Sequence, residues 1–491
     1  MRPSVRRAAV MIPAVATAVC SAAVIQASGA VAGTRPDAHA SAATVGGTWR
    51  TAREVPGTAA LNQTGFARVR SVSCASPGNC SAGGFYWAGN FHPFVARQVN
   101  GTWHTAIEVT GAASLNQAGN AGVNSVSCAS AGNCSAGGYY TDFSTNLQAF
   151  VVREVNGTWQ KSIEVPGTAA LNQRGGAAIS SVSCASAGNC GAGGWYMDSS
   201  GYLRAFVVSE VNGTWHGAVK VPQVAAIRQA DVAAVSSVSC ASAGNCSAGG
   251  YYWDASGLRQ AFVVNEVHGS WHGAIEVPGA AALNRGGDAM VNSVSCGAAG
   301  NCSAGGYYTG GNGRQAFVVS EVNGTWRRAI ELPGNAVLNK DGDAAVGSVS
   351  CASAGNCSAG GFYHAGSMNH EQALVASEVK GVWRRAIEVP ATATLNKTGN
   401  AAVYSVSCAA AGKCSAGGYY SDRSTALQAF VVSEINGSWH NATEVPGTGR
   451  LNKTGGAAVF SVSCAAAGKC SAGGSYQDGS SHTQAFVVSE N

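Results

Sequence analysis

Apolar and polar residues alternate along this chain in short runs that recur at a near-constant spacing. The stretch from Ser125 to Ser180 shows one unit: SVSCASAGNC, SAGGYY, QAFVVREVNGTW and IEVPGTAALNQ in succession. Val123 to Cys128 alternates over a strand's length. Cys134 to Tyr140 forms a second run, Gln148 to Val155 is nearly all apolar, and Thr158 to Val165 makes a fourth. Period-two alternation, β-branched content and the lack of a long helical period predict four strands per unit. The Trp of the fourth strand recurs at 49, 103, 159, 215, 271, 326, 383 and 439, at spacings of 54 to 57 residues. Such self-similarity marks a repeat architecture.

The turns predict how the strands connect. Val155-Asn156-Gly157-Thr158 places Asn-Gly between strands three and four, where a type I′ hairpin needs positive φ at both central residues. The Cys-x5-Cys loop joins strands one and two in the same way. Pro166 to Ala178 has no tight-turn signal and predicts the passage from one sheet to the next. The chain opens with an unmatched fourth strand, Gly47 to Val55, and closes on a third strand ending at Asn491. Pairing these ends gives an all-β fold: an eight-bladed β-propeller of four-stranded antiparallel blades, closed by the N-terminal strand. An open solenoid would need polar end caps, which are not visible; an open or split β array is the alternative.

Residues 1–32 are expected to be a signal peptide, 33–45 a short linker and 46–491 the propeller. Arg2, Arg6 and Arg7 precede an uncharged run from Ala8 to Gly33, and Ala30-Val31-Ala32 fits a small-x-small cleavage site. Retention as a membrane anchor through residues 8–33 is one alternative. A lipid on Cys20 is another. Sixteen of the 17 cysteines form Cys-x5-Cys pairs: Cys74/Cys80, Cys128/Cys134, Cys184/Cys190, Cys240/Cys246, Cys296/Cys302, Cys351/Cys357, Cys408/Cys414 and Cys464/Cys470. An even count at fixed spacing in an exported chain reads as disulfides rather than zinc ligands, since no His recurs beside them. Each short loop adds about 2 kcal/mol in the chain-entropy view.

Composition narrows the partners. Of the 491 residues only 11% are charged, and the net charge of +5 falls to +2 once the three N-terminal arginines are set aside. Nearly neutral proteins are poor polyanion binders, so nucleic acid is disfavoured. A secreted, extracellular monomer is expected.

Ser-Val-Ser-Cys-x5-Cys-x-Ala-Gly-Gly resembles the repeats of exported proteins from high-GC Gram-positive (actinobacterial-type) bacteria, over residues 46–491. That resemblance implies a propeller-like fold and an extracellular address, without an assigned activity. Ser209 to Trp215 also resembles the Asp-box hairpin of sialidase-type propellers, but the box Asp is missing and the loop is shorter. No sialidase residues are carried over.

Three residue sets are candidates for function. The first is the Tyr ending strand two: Tyr86, Tyr140, Tyr196, Tyr252, Tyr308, Tyr363, Tyr420 and Tyr476. Aromatic faces suit sugar rings; the other reading is inter-blade packing with the hydroxyl bonded to backbone. The second is the Asn of the inter-blade Leu-Asn pair, exemplified by Asn116, Asn172 and Asn284, whose amides suit sugar hydroxyls or Asx turns. The unit containing Ile227-Arg228 and Lys220 departs from the pattern and predicts one degenerate site. Glu154, Glu164 and their equivalents are expected at exposed strand edges, as are His104, His216, His272 and His440. Asn-Gly-Thr triplets read as turns rather than glycosylation sites.

The third set breaks the symmetry. Asp231, Asp288, Asp341 and Asp343 precede the first strands of three successive units. No cofactor is expected, with Ca²⁺ the ion such carboxylates could hold. General acid–base chemistry is their other use. The expected function is an exported, non-catalytic binding or scaffold propeller recognising extracellular glycan or polymer through repeated shallow sites. The alternative is a propeller hydrolase or lyase with an acidic site at the channel mouth; a rigid envelope spacer is the third reading.

Overall fold

A computed structural model describes residues 47–62, 65–222, 232–366 and 370–491. The expected signal peptide and linker, Cys20 and Asp231 lie outside the described residues. The rest is a ring of eight antiparallel blades, the predicted propeller. Blade 1 begins at Ala67–Ser76; blade 2 comprises Gly122–Ser130, Asn133–Thr141, Leu147–Val155 and a fourth strand. Blade 8 begins at Ala458–Ala466 and takes its outermost strand, Arg53–Glu54, from the N-terminal side of the chain. First strands of neighbouring blades pack against one another and line the axis.

Each blade runs between two ends. Strand one descends to the Cys loop and strand two returns. Strand three descends to the Asn-Gly turn, and strand four returns to the inter-blade connection. Cys loop and Asn-Gly turn therefore share a hairpin end, bonded to each other through Gly157 N–H to Gly132 C=O at 2.8 Å. Asn156 has φ 48° and Gly157 φ 82°, as the predicted turn requires.

Two details differ from expectation. The fourth strand is split: Thr158–Trp159 and Ile163–Glu164 both pair with strand three. Between them Ser162 N–H bonds the Thr110 carbonyl of the preceding connection at 2.8 Å, so the interruption ties each blade to the one before. The connection itself contains a single helical turn, such as Ala112–Leu115, rather than irregular chain alone.

The motifs find their reasons at blade interfaces. Ser71 and Ser73 accept hydrogen bonds from Val126 N–H (2.9 Å) and Cys128 N–H (2.8 Å) of the next blade. Ser461 and Ser463 do the same for Val72 N–H and Cys74 N–H, at 2.9 and 2.7 Å. Ser-Val-Ser-Cys is thus a belt that satisfies inner-strand backbone donors and passes unbroken from blade 8 to blade 1. Arg53 and Glu54 pair in register with Val487 and Phe486, and Trp49 bridges Glu490, closing the same seam at the rim. The first Gly of each Gly-Gly admits the next blade's valines: a Cβ on Gly305 would lie 2.5 Å from Val346 and 2.9 Å from Val349.

All eight predicted disulfides form. From blade 1 to blade 8 they are Cys74–Cys80, Cys128–Cys134, Cys184–Cys190, Cys240–Cys246, Cys296–Cys302, Cys351–Cys357, Cys408–Cys414 and Cys464–Cys470. Each joins the first and second strands of one blade, between directly paired residues with Cα atoms 3.9 to 4.0 Å apart. The cysteines are structural groups and not a ligand site. Cys80, Cys357, Cys414 and Cys470, the second-strand partners in four blades, are all buried. The sulfurs of Cys80, Cys414 and Cys470 lie 3.5, 3.3 and 3.4 Å from the Ser471, Ser358 and Ser415 hydroxyls of the preceding blade. Structural disulfides of this kind form and persist in oxidising compartments. Among the described residues no helix is long and apolar enough to cross a membrane.

One expectation is overturned at the hairpin end. Glu154, Glu210, Glu266, Glu321, Glu378, Glu434 and Glu490 are buried rather than at a solvated edge. Each latches its blade to the one before. Glu378 accepts from Ser303 and Ser320, both at 2.7 Å, and Glu434 from Ser358 (2.9 Å) and Ser377 (2.7 Å). Blade 1 substitutes neutral Gln98, which bonds Ser489 (2.8 Å) and Ser471 (3.2 Å) across the closing seam. Burial raises the pKa of all seven carboxyls above the ordinary value, by penalising the charged form. Arg97 and Arg153 offset part of this for Glu154 and Glu210 by ion pairing.

Candidate functional site at the channel mouth

The repeated tyrosines lie inside the blades. Tyr86, Tyr140, Tyr196, Tyr252, Tyr308, Tyr363, Tyr420 and Tyr476 are all buried. Tyr140 O–H donates to Glu164 at 3.0 Å, and the equivalent bond links Tyr86–Glu108, Tyr252–Glu276, Tyr308–Glu331, Tyr363–Glu388, Tyr420–Glu444 and Tyr476–Glu54. Tyr196 belongs to the blade that has Lys220 in place of this Glu, so the degenerate unit foreseen from Lys220 lacks the carboxylate partner. Burial and the adjacent carboxylate push these phenols well above their usual pKa. No ring face remains open for a sugar.

The repeated asparagines are equally occupied. Asn116 accepts from Asn120 N–H at 2.8 Å and donates to Phe91 C=O at 3.0 Å. Asn172 accepts from Gly176 N–H at 2.7 Å and donates to Gln148 at 2.7 Å; Asn284 accepts from Asp288 N–H and donates to Gln260, both at 2.8 Å. Buried at the end of each helical turn, they clamp successive blades together.

Two of the aspartates, Asp288 and Asp343, sit at the loop end in ion pairs. Asp288 pairs with Arg259 at 2.5 Å and Asp343 with Arg314 at 3.3 Å; Asp341, two residues away, is exposed. Among the described residues no three of these aspartates converge to ligand distance. The one compact Cys/Glu group, Cys184, Cys190 and Glu210, contains a disulfide.

What distinguishes the blades is a position that no repeated motif marks. Strand one carries a β-bulge before Ser-Val-Ser-Cys: Val69 pairs with Gly84 and Ser71 with Gly83, leaving Arg70 unpaired. The corresponding residues are Asn124, Ser180, Ser236, Asn292, Gly347, Tyr404 and Phe460. Bulges re-aim side chains and recur beside functional sites. Here the bulge falls on the innermost strand, near the loop end, in a frame otherwise nearly invariant. The legible signal was that one x in Val-x-Ser-Val-Ser-Cys ranges from Gly to Arg to Phe.

Two arcs result. Across blades 4 to 7 the mouth is polar and internally neutralised. Arg259 holds Asp288 and also bonds the Tyr307 hydroxyl, Arg314 holds Asp343, and His364 lies 3.9 Å from Asp343 and 4.0 Å from Glu371. Tyr419 O–H donates to Glu371 at 2.7 Å. Burial raises the Glu371 pKa.

Across blades 7, 8 and 1 the mouth is aromatic and cationic. Tyr404 stacks on Phe460 with ring centroids 5.7 Å apart. The Arg68 guanidinium carbon lies 4.8 Å from the Phe460 ring centre and 5.5 Å from that of Phe66. Arg70 lies 4.5 Å from the ring centre of Phe85 and 5.8 Å from that of Tyr139, and donates to Asn124. Burial and the neighbouring Arg70 charge lower the Arg68 pKa.

Away from the mouth, at the hairpin end, grooves of about 270, 420 and 210 Å³ lie between blades 1 and 2, 2 and 3, and 4 and 5. The hairpin turns line them.

Comparison with known proteins adds no family. No family model matches the chain, and no curated protein does. Among solved structures it is similar to Chaetomium thermophilum Sqt1 bound to the N-terminus of ribosomal protein L10. The two are 11% identical, with TM-score 0.46 and coverage of 87% of this chain and 98% of that one. It is also similar to a PL25 ulvan lyase bound to a GlcA–Rha3S saccharide, at 11% identity and TM-score 0.43, covering 82% and 96%. A Dyadobacter fermentans protein of unknown function gives 12% identity and TM-score 0.39, covering 65% and 97%.

Proposed function

We propose that the protein is an exported, non-catalytic binding propeller that takes an extracellular glycan or polymer at the loop-end mouth of its channel. One observation carries this reading. The repeated side chains are spent on holding blades together, whereas the bulge residues, which vary most from blade to blade, stand at that mouth. Ligand identity must be written where the copies differ. Signal cleavage near Ala32 and release to the exterior belong to the same reading, and eight disulfides support it. Binding of residues 33–491 to a glycan array tests it. Retention of a polysaccharide, weakened by Tyr404→Ala and not by changes at the hairpin-end turns, is the expected result. No retention of any array glycan overturns it.

A second reading rests on Glu371. A carboxyl with raised pKa, bonded to Tyr419 and 4.0 Å from His364, has the parts of an acid–base site. Turnover of a polysaccharide, lost in Glu371→Gln, would replace the binding proposal with a hydrolase or lyase.

A further inference from the structure

The arginines of the mouth are of two kinds. Arg259 and Arg314 are each neutralised by an aspartate of the next blade. Arg68 and Arg70 are two residues apart on the innermost strand, Arg68 over Phe66 and Phe460 and Arg70 over Phe85 and Tyr139, and among the described residues no carboxylate forms an ion pair with either. Among the described residues, Arg68 Nε is buried without a hydrogen-bond partner. Two guanidinium groups two residues apart on one strand, with Asn124 as a neutral acceptor for Arg70 and no paired carboxylate among the described residues, leave positive charge that a ligand can neutralise.

The surroundings narrow what that is. Each guanidinium lies over aromatic faces, which orient it without neutralising it. Tyr404, Phe460, Phe66 and Phe85 form an aromatic run flanking the pair, and Phe66 and Phe85 stack at 5.8 Å. Flat apolar faces beside forked donors suit a ligand whose C–H surfaces and anionic groups alternate. Acidic polysaccharides have that pattern. Nucleic acid fits less well: the chain carries a net charge of only +5 over 491 residues, and an oxidising compartment is not where a nucleic-acid partner is met.

We infer that Arg68 and Arg70, with the aromatic run beside them, bind an anionic saccharide at the blade 8–blade 1 side of the mouth. This deepens the binding reading above and rests on it. The anion, carboxylate or sulfate, meets the two guanidiniums, and a sugar face packs beside the aromatic run.

Titration calorimetry on residues 33–491 tests it with four probes: oligogalacturonate, a sulfated galactan oligomer, a neutral galactan oligomer and a single-stranded DNA oligomer. At least one anionic saccharide is expected to bind at least about tenfold more tightly than the neutral oligomer. Arg70→Ala should lose about tenfold of that affinity with an unchanged melting temperature, Arg70→Lys should recover part of it, and Arg423→Ala, in an exposed loop, should change nothing. Whichever anionic oligomer binds more tightly identifies carboxylate or sulfate as the recognised group. Equal binding of neutral and anionic oligomers, insensitive to Arg70→Ala, overturns the inference and leaves the binding reading standing. Neutral-only binding does the same. Tightest binding to DNA overturns it in favour of a nucleic-acid partner. Binding of none of the saccharides here overturns the inference, and only an empty glycan array overturns the broader reading as well.

Discussion

At the hairpin end, seven blades present a buried glutamate and the eighth its neutral counterpart, Gln98, in the same place and to the same kind of partner. At the loop end, the bulge residue is Arg70 in one blade, Gly347 in another and Phe460 in a third. The backbones of the two regions are alike, so the contrast is one of constraint. A residue facing the next blade must complement a neighbour that is itself a copy, and any change has to be matched around the ring. A bulge residue meets at most the bulge residue beside it, as Tyr404 meets Phe460 and Arg70 meets Asn124, and no repeated partner fixes its identity. The symmetric end holds the ring together, and the asymmetric end is free to specify.

The largest break in this picture is at the seam. Removing residues through Val55 strips blade 8 of Trp49, of buried Ala52 and Val55, and of the Glu54 acceptor for Tyr476. Loss of about 4 kcal/mol or more is expected, since each fully buried apolar side chain contributes roughly 1.5–3 kcal/mol. Urea denaturation of the truncated chain checks it; an unchanged midpoint would mean that the inner Ser-Val-Ser-Cys belt alone closes the ring.

The next contrast uses two glycines. Gly305 faces the next blade and Gly347 occupies the bulge. Gly305→Val drives side-chain atoms into Val346 and Val349, and about 3 kcal/mol of destabilisation is expected. A Cβ at Gly347 meets nothing closer than 3.6 Å, so Gly347→Ala should stay within about 0.5 kcal/mol. Thermal melts of both variants decide it. Comparable losses would remove the distinction between the two regions.

Much of the architecture was legible in the sequence because its signals are local. Asn-Gly, Cys-x5-Cys and the recurring Trp each announce a turn or a strand, and the unmatched strand at each end implied closure. The roles of the polar repeats were not legible, for a physical reason. Both faces of a propeller blade are covered by neighbours, so alternation does not say which polar side chains are solvated. Glu154 looked like an edge group, although its place in a nearly all-apolar strand was a hint. Tyr140 and Glu164 meet across 24 residues, a pairing that follows from the split fourth strand and not from any short motif. Asp288 and Asp343 did break the symmetry as noticed, but their arginine partners, Arg259 and Arg314, lie within the first two residues of third strands and were not singled out.

The hairpin end has its own variation, and it is compensated. Where most blades place Ser or Asn on strand three, blades 1 and 2 place Arg97 and Arg153, which pair with Glu154 and Glu210. The cost falls on the indoles. Trp271 Nε1 donates to Ser209 at 3.1 Å, whereas among the described residues Trp159 and Trp215 Nε1 have no partner. Arg97→Ala should destabilise by about 2 kcal/mol or more, leaving a buried carboxylate with less compensation. Arg97→Ser restores the common arrangement, with a hydroxyl for both Glu154 and Trp159, and should cost less than about 1 kcal/mol. Chemical denaturation of both variants measures the difference; equal losses would show that the latch is specific to each blade.

The smallest effect is the pH dependence of the latches. Burial raises the carboxyl pKa of Glu378 above its value in the unfolded chain. The folded state therefore holds a proton more tightly than the unfolded one. Its stabilising contribution is complete below the ordinary carboxylate pKa of about 4.3 and is lost as pH rises through the raised folded-state value. The same sign applies to Glu266, Glu321, Glu434 and Glu490, so this end of the molecule favours mild acid, opposite to ion-paired carboxylates. Glu378→Gln removes one titrating group while keeping an acceptor for the Ser303 and Ser320 hydroxyls. Its melting temperature should fall less than the wild type's between pH 5 and pH 8, by about 1 to 2 °C. A wild-type slope of the opposite sign, unchanged in Glu378→Gln, would mean that these carboxylates are ionised and compensated within the ring. The hairpin end would then be charged like the neutralised arc of the mouth, and the contrast between the two ends would rest on sequence variation alone.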